Sequence, residues 1–140
     1  MRFLLALFMC KDHDLSTAAD APSEILLDPI QFYKSLAEPI RLKSLLLISH
    51  YDELCVCELM VALNEHSQPK VSRNLALLRK NKLLLDRKSG QWVFYRINPR
   101  LPQWIKDILL QTRVGNAHYI QANIQHLENM HNRPQKKASC

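Results

Sequence analysis

Two cysteines separated by one residue, Cys55 and Cys57, are the side chains in this sequence best suited to bind a metal or metalloid. Thiolates so close in the chain favour soft species such as As(III), Sb(III), Cd(II) or Hg(II) over hard cations, which prefer oxygen. We expect both at the start of a helix over residues 54–63, whose N-terminus should lower their pKa. Helical residues i and i+2 lie about 200° apart, so binding one ion should deform this first turn.

A third ligand is not evident from the spacing. As(III) prefers three thiolates, and Met60, three residues after Cys57, is a much weaker ligand. Cys10 is the first candidate, and Cys140 or a small cellular thiol are others. Four cysteines at these spacings do not form a disulfide scaffold. The six histidines have no coherent ligand spacing.

Charge is distributed unevenly along the chain. Residues 67–100 contain nine basic residues and one acidic residue, a formal +8, whereas residues 24–66 carry a formal −4. A basic segment confined to one stretch is typical of a surface that binds nucleic-acid phosphates. A solvated charged face is the alternative interpretation.

The basic segment begins with the pattern of a recognition helix. Ser67 is a capping residue and Pro69 suits a first helical turn. Val71, Leu75 and Leu78 follow at spacings of four and three, so they face inward while the basic residues face outward. With the preceding helix and a short turn, this pattern predicts a helix-turn-helix.

Candidate DNA contacts fall on this helix and on the hairpin that follows it. Gln68, Ser72 and Arg73 are the candidates for base edges, because the N-terminal part of a recognition helix enters the major groove. The candidates for phosphate contacts are Lys70, Arg79, Arg87 and Lys88. Asn74 is a further candidate on the helix.

After Asn81 the hydrophobic period changes from 3.6 to 2, which indicates a β-hairpin. Residues 92–97 alternate as one strand, residues 83–87 are its expected partner, and Ser89 and Gly90 are the expected turn. Arg87 and Lys88 would then lie at the tip of a protruding wing.

The flanking segments complete a mainly α fold with a β-hairpin wing, a winged helix-turn-helix of order ααααββα. Asp28 and Pro29 begin a first helix that ends near Ala37, Pro39 begins a buried second helix, and Pro102 begins the last strong helix. The apolar stripe of that last helix is a candidate dimer surface, although ordinary packing onto the domain would also explain it.

The domain boundaries follow from composition. Residues 1–27 are expected to form a poorly ordered leader, residues 28–115 the DNA-binding and metal-sensing domain, and residues 116–140 a short helix with a disordered tail. The apolar run at residues 3–9 is too short to span a bilayer and makes a poor signal peptide, so we expect a cytoplasmic protein without a membrane partner.

Residues 28–114 resemble the ArsR/SmtB family of metal-responsive repressors. Residues 36–42 (LAEPIRL) resemble the family's entry to its second helix, residues 53–58 (ELCVCE) its metal-binding motif, and residues 67–75 (SQPKVSRNL) its recognition helix. Residues 90–96 (GQWVFYR) are similar to the wing of the arsenic-sensing branch.

The resemblance implies a homodimer joined through its first and last helices and bound to an inverted-repeat operator of a resistance operon. It implies As(III) or Sb(III) as inducer at Cys55 and Cys57, with no cofactor for DNA binding. Cadmium and lead sensors, which add an N-terminal cysteine such as Cys10, are the alternative. The family's zinc site on the last helix has no match, because residues 102–114 contain no histidine, and Asn74 stands where many relatives have histidine.

Functions of other classes explain less of the sequence. With glycine only at positions 90 and 115, the chain has no phosphate-binding loop, and we found no catalytic triad motif, so we expect no enzyme. A thiol redox or metal-trafficking protein would explain the cysteines but not the basic segment. A sensor of thiol oxidation would need a strained disulfide between Cys55 and Cys57.

Overall fold

Helices in the computed structural model, which describes residues 24–134, begin at the capping residues of the sequence. The Asp28 carboxylate accepts the Ile30 N–H at the start of the first helix, and the Ser67 hydroxyl accepts the Lys70 N–H at the start of the fourth. The helices are α1 (Pro29–Leu36), α2 (Pro39–Tyr51), α3 (Val56–Leu63), α4 (Gln68–Lys80), α5 (Gln103–Gly115), a 3₁₀ turn (Ala117–Ile120) and α6 (Gln121–Glu128).

Three strands form an antiparallel sheet in the order β1-β3-β2: β1 (Leu54–Cys55), β2 (Leu84–Ser89) and β3 (Trp92–Ile97). Ser89 pairs with Trp92, so the hairpin turn is Gly90 and Gln91, one residue later than expected. Gly90 has a φ of +60°, a conformation that glycine adopts without steric cost and that suits the first position of a two-residue turn.

Helix α2 lies at the centre of the core, as its nearly continuous apolar sequence predicts. Residues 45–48 are completely buried, and Val71, Leu75 and Leu78 of α4 face the same core. The predicted inward face of the recognition helix is therefore confirmed, and so is the winged helix-turn-helix architecture.

The start of the third helix was predicted wrongly. A helix was expected from residue 54, but Leu54 and Cys55 form β1 and α3 begins at Val56. The reason is a non-local pairing: Leu54 lies opposite Tyr95 and Cys55 opposite Phe94 in β3. Backbone bonds to the hairpin thus compete with the helix at these two residues.

Segments outside the expected core domain also contact it. Ile25 and Leu27 pack against the core, and the Ile25 N–H donates to the Arg100 carbonyl at 3.0 Å. At the other end, α6 packs against α3, and the Asn123 amide donates to the Ala62 carbonyl at 2.8 Å. None of the helices in residues 24–134 is long and apolar enough to cross a membrane.

Candidate functional site

The two cysteines lie at a junction between a strand and a helix. Cys55 is the last residue of β1 and the N-cap of α3, and Cys57 lies in the first turn of that helix. Cys55 is 1% exposed and Cys57 is half-buried, and both are free thiols. Because the backbone of Cys55 is extended, with φ −94° and ψ 171°, the angle between two helical residues does not describe this pair.

Glu58 holds the junction closed from inside the protein. Its carboxylate accepts the Cys55 N–H at 3.0 Å, while its own N–H is directed at the Cys55 sulfur, a reciprocal capping arrangement. Arg133 donates to the same carboxylate, through Nε at 2.9 Å and Nη2 at 2.8 Å. The buried charge of Glu58 is therefore paired, and residues after α6 are connected to the cysteine segment.

The pKa of the Cys55 thiol is raised, whereas the sequence predicted that it is lowered. Burial raises the pKa of Cys55 to about 12, and the negative charge of Glu58 also raises it, although the Glu58 N–H acts in the opposite direction. The expectation that the helix N-terminus lowers this pKa is therefore wrong, because the sulfur is removed from water. Near neutral pH the Cys55 thiol is protonated.

The donor set of the junction fits a soft, thiophilic ligand, but the fit is incomplete. In the described range, no group of three or more His, Cys, Asp or Glu side chains could hold a metal ion. Cys55 and Cys57 thus provide two sulfur ligands, and the candidates Cys10 and Cys140 lie outside the described residues. With Cys55 buried, a ligand can reach its sulfur only if the junction opens.

A paired arginine joins the cysteine segment to the hairpin. Arg87 of β2 donates to both carboxylate oxygens of Glu53, each at 2.7 Å, and its guanidinium lies 5.0 Å from the ring centre of Phe94. Arg87 was expected to contact DNA phosphate at the tip of the wing. In this structure its donors face the cysteine segment.

Most of the other candidate DNA contacts lie on the outer face of α4. Gln68, Lys70, Arg73 and Arg79 are exposed, and Ser72 is half-buried beside them. Lys70 pairs with Glu65 at 3.3 Å and Arg79 pairs with Asp86 at 3.2 Å, while Arg73 and Lys88 form no ion pair with any described residue. Lys88 is exposed on the hairpin.

Asn74 is the one helix candidate whose amide is used internally. Its carbonyl oxygen accepts from Arg41 Nη1 at 3.0 Å, and its nitrogen donates to the Lys70 carbonyl at 2.9 Å. Arg41 also donates to the carbonyls of Lys34 and Ser35. The Arg41 side chain thus connects Asn74 of α4 to the last residues of α1.

Three residues of the site were not identified from the sequence: Glu53, Glu58 and Arg133. The position of Glu58, three residues after an N-cap, is the spacing of a capping box and could have indicated its role. Glu53 and Arg133 find their partners 34 and 75 residues away, and no local pattern indicates either pairing.

Three relatives that are 46–48% identical to this sequence are regulators of arsenic resistance. The chain is 48% identical over 115 residues to the arsenic resistance transcriptional regulator ArsR2 of Pseudomonas putida, a match covering 82% of this chain and 99% of the relative. It is also 48% identical over 99 residues to the arsenical resistance operon repressor of Escherichia coli, covering 71% of this chain and 84% of that protein.

Solved structures give the same architecture. The transcriptional regulator HlyU from Vibrio vulnificus is 27% identical and superposes with a TM-score of 0.54, covering 76% of this chain and 97% of that one. Comparison with protein-family models gave no match. Winged-helix architecture, basic recognition helix and the identity to these relatives together place the chain in the ArsR/SmtB family of transcriptional regulators, in its arsenical-resistance branch.

Proposed function

We propose that this protein represses an arsenic-resistance operon and leaves its operator when As(III) or Sb(III) binds Cys55 and Cys57. The observation that carries this proposal is the position of Cys55. It is paired with the wing strand β3 on one side and caps α3, the helix before the recognition helix, on the other. A ligand that pulls Cys55 out of this position therefore disturbs the wing and the helix-turn-helix at the same time.

The protonation state of Cys55 favours arsenite over a divalent cation. Arsenous acid is neutral near pH 7 and condenses with thiols: each As–S bond formed replaces an As–OH bond, and the hydroxyl leaves as water with the thiol proton. Cd(II) and Pb(II), the alternative inducers, bind thiolates and must displace the proton of Cys55. A thiol whose pKa is raised to about 12 makes that displacement costly. A third sulfur from Cys10 or a small thiol would complete the preferred coordination of As(III).

For the DNA interface, we assign the base edges to Gln68, Ser72 and Arg73 and the phosphates to Lys70, Arg79 and Lys88. Their exposure on α4 and the hairpin supports this assignment. We leave Arg87 and Asn74, also predicted from the sequence, out of this assignment, because Arg87 pairs with Glu53 and the Asn74 amide bonds to Arg41 and Lys70.

We further infer a homodimer that binds an inverted-repeat operator. The ring centres of Phe32 of α1 and Trp104 of α5 lie 5.3 Å apart with the rings nearly perpendicular, so the two helices meet at this point. Both expose large apolar side chains: Ile30, Tyr33, Trp104, Leu110 and Val114. A two-fold axis through this face would cover them and would present two recognition helices to successive major grooves. Such a regulator acts where the DNA is, in the cytoplasm.

The proposal is tested by fluorescence anisotropy of reduced protein on its own promoter DNA, titrated with arsenite. We expect arsenite to release the wild type and to leave the Cys55→Ser, Cys57→Ser variant bound. Substitution of Ser49 on α2, which is not a candidate ligand or DNA contact, by Ala is the control and should be released like the wild type. Equal release of the double variant would reject the cysteine site, and absence of specific DNA binding would reject the repressor.

A further inference from the structure

We propose that Glu53 and Arg87 are positioning residues that couple the cysteine junction to the wing. This inference rests on the proposed function for its consequence on DNA. Its structural part, that the pair holds Cys55 closed, can be tested without an inducer and without DNA.

The geometry places one side chain across all three strands. In the register of the sheet, Cys55 of β1 lies opposite Phe94 of β3, and Phe94 lies opposite Arg87 of β2. From β2, the Arg87 guanidinium passes over the Phe94 ring and ends on the carboxylate of Glu53, two residues before Cys55. The backbone pairing of Cys55 is therefore reinforced by a side-chain contact in the same row.

This ion pair differs from an ordinary surface pair. Both of its hydrogen bonds are 2.7 Å long, and the side chains of Arg87 and Glu53 are only 27% and 14% exposed. A bidentate, charge-assisted contact with partial exclusion of water is stronger and more specific in geometry than a single exposed contact.

The hairpin also provides a matched comparison. Asp86, the neighbour of Arg87 in β2, pairs with Arg79 through one contact of 3.2 Å, with both side chains more exposed. That pair connects the hairpin to α4 and does not touch the cysteine segment. Loss of Asp86 therefore removes a hairpin ion pair without affecting the row through Cys55.

We expect opening of the junction to break the Glu53–Arg87 pair. Cys55 is 1% exposed, and a movement of β1 away from β3 that exposes its sulfur also moves Glu53. The wing then loses a contact that fixes its position relative to the cysteine segment. By linkage, a ligand that stabilises the open junction weakens DNA binding by the free energy of the contacts that differ between the two states.

The structural part is tested by the reaction rate of Cys55 with a thiol reagent in metal-free, DNA-free protein, located by mass spectrometry. We expect Glu53→Gln to accelerate modification of Cys55 by about fivefold or more, a typical coupling between contacting residues, with Asp86→Asn within about twofold of the wild type. Arg87→Lys keeps the charge but loses the bidentate contact, and should accelerate it as well. Unchanged rates in Glu53→Gln, or equal acceleration in Asp86→Asn, would overturn the proposal.

The functional part is tested by the factor by which saturating arsenite lowers operator affinity. In Glu53→Gln we expect weaker operator binding without arsenite, because the contact that opening breaks is already lost. The factor by which arsenite lowers operator affinity should then be about fivefold smaller than in the wild type. The same factor in Glu53→Gln and wild type would overturn the coupling. If arsenite fails to release the wild type, the proposed function fails, and the thiol rates still decide whether the pair holds Cys55.

Discussion

At the scale of single residues, Cys55 combines two properties that sequence alone would not bring together. Its spacing from Cys57 indicates soft-ligand chemistry, yet its sulfur is buried and protonated, with a pKa of about 12. The junction therefore keeps a neutral thiol away from water until it opens.

The pH dependence of release should distinguish the two kinds of inducer. Between pH 6 and 8 the closed junction keeps Cys55 protonated, because this window lies far below its raised pKa. Cd(II) binding to Cys55 as a thiolate releases the proton of that thiol, so the cadmium concentration for half release should fall as pH rises, by up to roughly tenfold per unit. Arsenite binding releases water and no net proton, so its midpoint should change little.

Anisotropy titrations of the operator complex at pH 6, 7 and 8 measure both midpoints. The free ligand concentrations are corrected for buffer complexes. An arsenite midpoint that falls as steeply as the cadmium midpoint would contradict the idea that neutral thiols react.

The sequence predicted the cysteines of the site but not the residues that hold them. Cys55 and Cys57 form a local pattern, whereas Glu53 meets Arg87 and Glu58 meets Arg133 only after the sheet and α6 have assembled. The direction of the Cys55 pKa was predicted wrongly for the same reason. The proximity of a helix N-terminus is visible in the sequence, but the burial of a particular sulfur is not.

At the scale of elements, caps and periodicity predicted most of the fold. Capping residues fixed the starts of α1 and α4, and the change of period after Asn81 indicated the hairpin. Strand β1 was missed because a strand of two residues is too short to show alternating hydrophobicity. Its existence depends on pairing with β3, about 40 residues away in the chain. How α6 packs against α3 was also invisible, since that contact depends on tertiary structure.

The recognition helix and the wing should contribute differently to DNA binding. Arg73 is exposed on α4 without an ion pair to any described residue, so we expect Arg73→Ala to cost about 1–3 kcal/mol of discrimination between operator and random DNA. Lys88→Ala should weaken binding to both DNAs and reduce the slope of log affinity against log salt by about 1. Anisotropy at several salt concentrations measures both. Equal loss on operator and random DNA for Arg73→Ala would refute its base contact.

At the scale of the whole molecule, the cysteine junction and the proposed DNA-binding surface lie in one continuous structure. The sheet connects Cys55 to the wing, α3 connects it to the recognition helix, and Glu58 connects it to the segment after α6. Charge follows the same organisation, because the formal +8 of residues 67–100 falls on α4, the hairpin and the residues just after it. Ligand binding at the junction is therefore expected to act on the entire DNA-binding surface.

Reciprocity between arsenite and operator is the most direct test of this claim. Isothermal calorimetry gives the arsenite affinity of the free protein and of the operator complex, and anisotropy gives the operator affinity with and without arsenite. We expect operator to weaken arsenite binding by the same factor, within error, by which arsenite weakens operator binding, because both report one coupling free energy. Equal arsenite affinity in the presence and absence of operator would contradict a repressor released by binding at Cys55 and Cys57.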